Sequence, residues 1–516
     1  MITDTQPLPL PLPLPAGNKT LPVPPDDREK LSYLQRHRLY LLLVIIIGNA
    51  SILGSQIFTE VRFDIWVLVP YTIFNLGYVV ISLPNFTGPD FDYAAHKMRV
   101  ASWLPESYPD VDIHLPICGE PLDILHNTWT HVFELINAYP GYAQAYVLDD
   151  GDDPQAAKLA TDFGFSYIVR EHRGWMKKAG NLRNAFEQTR GEFIVILDAD
   201  FVPRPDFLTE ILPHFDDPET AIIQTPQFFH TGRQQTWVER GGGAVQEIFY
   251  RAIQPSRDHH AASICVGTCA VYRRQALETN GGPTLIDHSE DVHTGFDLQA
   301  SGWKMRYVPI SLAAGTCPSD PASFLTQQYR WCEGATSFLG ARKFWTAKMS
   351  VLGRCCFISG FYYYMFTAIE MLFSPLIPSL LLLVIPSHIE PSAYLLLLPA
   401  IVAGMVLYPL WHRCSYGPST WPLAIVRAWA HTFAMWDNIR GRHMGWQVTG
   451  GTGRKSQMRR FWVGLSAWNG GAALLWLGLA AWRSTQYGPG RFWVITAFGL
   501  LYAGIIGRVL LSYERK

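Results

Sequence analysis

Apolar residues fall into two clusters of long runs, one on each side of a polar middle. Residues 39–58 contain no charge, and neither do residues 65–83. Beyond the middle, residues 391–411 and 461–482 are uncharged, residues 361–386 carry only Glu370, and residues 492–511 carry only Arg508. Each run approaches the ~20 residues a helix needs to cross a bilayer core. The pattern predicts six membrane spans, two before the middle and four after it, rather than six buried helices of a soluble core.

Across residues 111–345 the rhythm changes. Short apolar runs alternate with longer polar stretches compatible with helix. Residues 111–115, 145–148, 167–169, 193–197 and 221–224 read as strands. Strands alternating with helices predict a parallel sheet, with ligands beyond the carboxyl ends of its strands. The expected organisation is a disordered Pro-rich tail over residues 1–36, two spans in 37–84, an α/β domain over 85–345, and four spans in 346–516. The tail begins with a Leu-Pro repeat, which breaks helices and stays extended. It lacks the basic region and apolar run of a cleaved signal peptide.

Composition adds three constraints. The 516 residues include 42 Lys+Arg and 43 Asp+Glu. That balance lacks the basic excess of a nucleic-acid binder, so no nucleic-acid partner is expected. Charged residues are only 16%, against about 25% in soluble domains, which fits a lipid bilayer as a partner. Arg36 and Arg38 precede the first run, Lys97 and Arg99 follow the second, and Arg515 and Lys516 follow the last. By the positive-inside rule the α/β domain and both termini are expected in the cytoplasm, the whole in the cell inner membrane. The eight cysteines form no C-x-x-C pair and lie mostly in the middle, so neither disulfides nor a zinc site is indicated.

The second predicted strand ends in Asp149-Asp150-Gly151 and the fourth in Asp198-Ala199-Asp200. Carboxylates gathered in one crevice repel unless a cation or donor offsets them. Asp-x-Asp after a strand suits a hard divalent cation carrying a diphosphate, Mg²⁺ or Mn²⁺; solvated strand-end aspartates are the alternative. The segment from Lys177 to Ala185 places a glycine among cations and amides at a helix start, which suits a nucleotide phosphate or a capped surface helix equally. In Ser289-Glu290-Asp291-Val292-His293-Thr294, Asp291 is the candidate base for an acceptor hydroxyl. His293 is more suited to packing. Gln327-Gln328-Tyr329-Arg330-Trp331 offers a flat ring and a cation, for a sugar and a diphosphate or for a membrane interface.

In this order the segments resemble the processive glycosyltransferases of family two, above all the catalytic subunits of bacterial cellulose synthases. That family's Asp-Asp, Asp-x-Asp, Thr-Glu-Asp and Gln-x-x-Arg-Trp are matched here by Asp149-Asp150, Asp198-Ala199-Asp200, Ser289-Glu290-Asp291 and the stretch from Gln327 to Trp331. The resemblance covers residues 112–460. It implies a GT-A-like fold for the α/β domain. It implies that Asp149, Asp150, Lys178 and Glu120 contact the nucleotide sugar. Asp198 and Asp200 would hold UDP and its metal. Asp291 would be the general base, with Glu290 near the acceptor, and Gln327, Arg330 and Trp331 would hold pyrophosphate and acceptor sugar. Residues 421–442 would be an interfacial helix. Residues 445–460, with Trp446 and Thr449, look like the family's gating loop. Departures fall at Cys118-Gly119-Glu120, where relatives have Tyr-Asn-Glu, at Val266-Gly267-Thr268 in place of Cys-Gly-Ser, and at Trp446 in place of Phe.

The function expected is processive transfer from a UDP-sugar donor, UDP-glucose by the Glu-Asp-x-His-Thr form of the third motif, onto a growing polysaccharide acceptor that passes out through the spans. Trp462, Trp468, Trp476 and Trp482 in one span would suit a sliding sugar chain. Alternatives are another β-polysaccharide (β-1,3-glucan, chitin- or hyaluronan-like, capsule), a non-processive enzyme acting on a membrane lipid, or a transporter with a nucleotide-binding domain. Accessory export proteins and a homo-oligomer are left open as partners.

Overall fold

The computed structural model describes residues 21–442 and 454–512. Its α/β domain contains ten strands: β1 (Val111–Ile117), β2 (Ala143–Asp149), β3 (Ser166–Ile168), β4 (Phe193–Ile196), β5 (Val202–Pro203), β6 (Thr220–Gln224), β7 (Phe228–Phe229), β8 (Ala270–Arg273), β9 (Lys304–Tyr307) and β10 (Ala313–Gly315). The main sheet runs β3-β2-β1-β4-β8-β6-β9, and a small one runs β5-β10-β7. The central strands are buried on both faces because helices cover the sheet on either side; Val111, Ile113, Leu115, Val147 and Val195 are at most 1% exposed, and the polar Asp112 and His114 of β1 are buried with them.

The five expected strands are present, but the sheet is mixed rather than parallel. β1 pairs in parallel with β2 and β4, β2 with β3, and β6 with β9. β8 lies antiparallel between β4 and β6. After the helices Trp237–Ile248 and Gln254–His259, the chain comes back into β8 through residues 260–269, which lie at the carboxyl end of β4. β8 therefore begins where β4 ends, with Ala270 opposite Ile196. β9 escapes the sequence pattern because only four residues alternate between exposed and buried faces.

Residues 21–36 do not belong to a disordered tail. Lys30, Tyr33 and Arg36 are buried. The Lys30 ammonium pairs with Asp206 and Glu210 at 2.7 and 2.5 Å, and Arg204 donates to Pro25 O at 2.6 Å. Charged partners and a buried ring offset the ordering entropy of residues 21–36.

Among the described residues six helical segments are long and apolar enough to span a membrane: Arg38–Phe63, Trp66–Phe86, Val351–Val384, Pro391–Trp411, Met458–Tyr487 and Pro489–Leu511. They flank the α/β domain as the hydropathy pattern predicts. In the fifth segment the tryptophans do not form one stripe. Trp468 donates to Leu372 O at 3.1 Å, Trp476 is buried, and Trp482 is 48% exposed. The helix Thr420–Ile439 is packed among neighbours, with Leu423, Val426, Ala430 and His431 buried.

Arg274, at the end of β8, closes the sheet from below. Its guanidinium donates to Asp112 Oδ2 at 2.8 Å, Gly191 O at 2.6 Å and Thr189 Oγ1 at 2.8 Å. Replacing it with Met would leave the buried Asp112 carboxylate without its cation, at a cost of about 3–5 kcal/mol. The thermal unfolding midpoint in detergent should fall accordingly; an unchanged midpoint would contradict this role.

Candidate active site

At the end of β2 the two adjacent aspartates have separate tasks, and neither presents a free carboxylate to the cleft. Asp149 is fully buried. It accepts from Gly151 N at 2.6 Å, Asp153 N at 2.9 Å and Tyr167 Oη at 2.6 Å. Asp150 is gripped by Arg170, whose Nε and Nη2 donate to its two oxygens at 2.5 and 2.6 Å. Of the two aspartates expected to touch the nucleotide, Asp149 is thus tied to the turn after β2 and Asp150 to the strand end beside it.

The end of β4 behaves differently. Lys178, one residue into the helix Lys177–Gln188, pairs with Asp198 and donates to Gly267 O at 2.9 Å. Asp198 N donates to Thr268 Oγ1 at 2.9 Å. Residues 265–269 occupy this spot because β8 runs antiparallel to β4. Burial disfavours the Lys178 ammonium, yet the charges of Asp198 and Glu290 outweigh it and hold its pKa above the ordinary value. Burial, then the charge of Asp198, pushes the Asp200 carboxyl up to about 7. Glu120 is raised too, by burial first, and it accepts from Cys118 N at 2.5 Å.

The third motif faces this cluster from the other side. Asp291 lies against Gly267, where an added Cβ would sit 2.7 Å from its Oδ2. Gly267 has φ +75°, so the close approach and the backbone conformation both call for glycine. Burial, then the Glu290 charge, raises Asp291 well above the ordinary carboxylate range. His293 is packed: its ring stacks on Phe338 at 3.9 Å and its Nε2 lies 3.0 Å from Ser337 Oγ.

The helix Pro321–Ser337 carries the fourth motif. A Cβ on Gly334 would overlap Ser289 Oγ, so this glycine lets the helix press on the loop holding Glu290 and Asp291. Burial draws the Arg330 guanidinium below its ordinary value while Glu290 and Asp198 act against that, which puts its charge within reach of both. Gln327 Oε1 is buried without a hydrogen-bond partner among the described residues. Trp331 is partly exposed on the same helix. Thr449 and Trp446 lie outside the described residues.

Among the described residues no three His, Cys, Asp or Glu side chains converge as a metal cage. Asp198 and Asp200 nevertheless fit a cation that completes its shell elsewhere. Mg²⁺ binds through one or two carboxylates, with phosphates and water supplying the remainder. The repulsion that raises Asp200 is what such a cation would offset.

The sequence motifs assign no role to Arg170, Tyr167 or Gly334, and Gly267 and Thr268 stand out only as a departure from the family pattern. For Arg170 a signal existed: a cation directly after the third strand, one strand end away from Asp149-Asp150. Gly334→Ala should displace Ser289 and Asp291 together, lowering turnover by on the order of 100-fold with only a modest loss of thermal stability. Turnover near that of the parent chain would contradict this packing.

Comparisons with known proteins agree with this site. The family Glycosyl transferase family group 2 matches residues 193–407. The UDP-forming cellulose synthase catalytic subunit of Pseudomonas fluorescens (strain SBW25) is 30% identical over 306 residues, covering 57% of this chain and 41% of the relative. Cellulose synthase 1 of Komagataeibacter xylinus is 32% identical over 282 residues, covering 53% of this chain and 18% of the relative. The chain thus spans less than half the length of these relatives. A solved mannosyltransferase, PcManGT from Pyrobaculum calidifontis in complex with GDP-Man and Mn²⁺, covers 71% of this chain and is itself covered to 99%, at 16% identity and a TM-score of 0.45. That likeness is too loose to bear on function. With the ordered motifs assembled in a mixed α/β domain between helices of membrane-spanning length, the chain is similar to glycosyltransferase family group 2 over residues 193–407 and to cellulose synthase catalytic subunits over more than half of its own length.

Proposed function

We propose that the chain is a processive, inverting glycosyltransferase that polymerises a UDP-sugar, UDP-glucose in the favoured reading, into a β-linked polysaccharide and passes it through its membrane helices. The observation that carries this reading is the convergence of Lys178, Asp198, Asp200, Asp291 and Arg330, contributed by four distant segments, on one edge of the sheet. The similarity to UDP-forming cellulose synthase subunits supports the choice of donor and polymer.

In this mechanism Lys178 and Arg330 bring positive charge toward the donor diphosphate as negative charge builds on the leaving UDP. Mg²⁺ or Mn²⁺ held by Asp198 and Asp200 would neutralise further diphosphate charge when bound. Glu120 lines the nucleotide side, and Gln327 and Trp331 the acceptor side. Asp291 accepts the proton of the acceptor hydroxyl. That oxygen bonds to the anomeric carbon on the face opposite UDP, and the carbon–oxygen bond to the phosphate breaks with its electron pair leaving on UDP. One displacement turns an α-linked donor into a β-linked product.

Asp291→Asn should reduce polymer synthesis by roughly 10²–10⁴-fold and leave UDP affinity nearly unchanged. The assay is purified protein with several UDP-sugars and Mg²⁺ or Mn²⁺, followed by linkage-specific hydrolases on the product. Full activity in this variant would end the base assignment. Product released only on the domain side of oriented vesicles would end the translocation.

The raised Asp291 pKa gives a sign for the pH profile. The base must be ionised, so activity should decline as pH falls and reach half its plateau above the ordinary carboxylate range. Glu290→Gln removes the like charge and should move that acid limb to lower pH. An acid limb that stays put or moves upward would contradict the coupling.

A further inference from the structure

We propose that Arg170 is a positioning residue that sets Lys178 against Asp198, making donor affinity depend on a side chain that touches neither substrate nor cation. The inference rests on reading the cleft as a nucleotide-sugar site. Arg170 is 6% exposed and spends its guanidinium in two directions. One side grips Asp150 at the end of β2 through both carboxylate oxygens. The other donates to main-chain carbonyls of the following loop, Trp175 O at 2.5 Å and Lys177 O at 3.0 Å.

That loop needs holding. Met176 and Lys177 both have left-handed backbones, φ +50° and +46°, without being glycine. Such conformations persist only when surrounding structure over-determines them. The residue immediately after them is Lys178. The two carbonyls gripped by Arg170 therefore fix where the helix Lys177–Gln188 begins, and so the direction from which Lys178 reaches Asp198 and Gly267 O.

Gly180 completes the arrangement. A Cβ there would overlap Arg170 Nη1 and Trp175 O. Its lack of a side chain makes room for the guanidinium, a role distinct from any approach to phosphate. The Arg fork also explains the residue type. A lysine offers one rotating ammonium and cannot hold a carboxylate and two carbonyls in fixed directions.

The test uses the full chain in detergent, with calorimetric UDP binding in the presence of Mn²⁺ and steady-state kinetics. Arg170→Lys should raise the UDP Kd and the donor KM by about tenfold, in line with the cost of small misplacements, while kcat at saturating donor falls less. Gly180→Ala, which in an ordinary helix would strengthen it, should raise the KM in the same way. The double variant Arg170→Lys with Asp150→Asn should be no weaker than the poorer single variant, because both break one clamp. If Arg170→Lys does not fold, Gly180→Ala and Asp150→Asn decide the question. Unchanged UDP affinity and KM in the folded variants overturn the positioning role alone. A parent chain that binds no UDP overturns the reading of the cleft, and this inference with it.

Discussion

Carboxylates gathered around the end of β4 are the constraint on which the rest of the site depends. Asp198, Asp200, Glu290 and Asp291 are half-buried there, and burial raises Asp200 and Asp291 before any neighbouring charge is considered. Such a cluster is tolerable only if cations are supplied. Lys178 supplies one from the helix after β3, and Arg330 brings another from the helix that leads to the third span. The remaining imbalance is the physical reason to expect a divalent ion and a diphosphate there.

The same constraint shapes the fold around it. β8 enters the sheet backwards, which delivers Gly267 and Thr268 to the end of β4 rather than to the opposite edge. Gly267 is small enough for Asp291 to lie against it, and its carbonyl takes one of the Lys178 protons. Gly334 performs a similar service for Ser289. Two positions without side chains thus let three segments close on the carboxylates from different sides.

Attachment to the membrane helices runs through the same wall. Tyr329, between Gln328 and Arg330, donates to Asp437 at 3.1 Å, and Arg460 donates to the same carboxylate at 2.7 Å. Asn438 donates to Thr336 Oγ1 at 2.9 Å. The helix that carries the fourth motif is therefore tied to the helix Thr420–Ile439 and to the start of the fifth span. The wall of the cleft thus continues directly into the membrane-length helices.

Much of this was legible along the chain. Six long apolar runs, four of them uncharged and two with a single charge, announce six spans, because charge is costly in hydrocarbon over that length. Short apolar runs ending in acidic residues mark β2 and β4, since a strand buried on both faces must be apolar until it reaches the crevice. What could not be read was how each aspartate is held. Asp149 and Asp200 look alike in sequence, yet one accepts from backbone amides and Tyr167 while the other is raised by burial and the Asp198 charge. Nor could the pattern reveal that β8 runs antiparallel, that residues 21–36 lie on the domain, or that Arg170 holds a loop. These depend on contacts between segments far apart in the chain, and local periodicity carries no record of such distances. The amino-acid order by itself determined the spans, the strands and the chemical types available; only the tertiary structure decided which charges meet, because Coulomb and packing energies act through space rather than along the backbone.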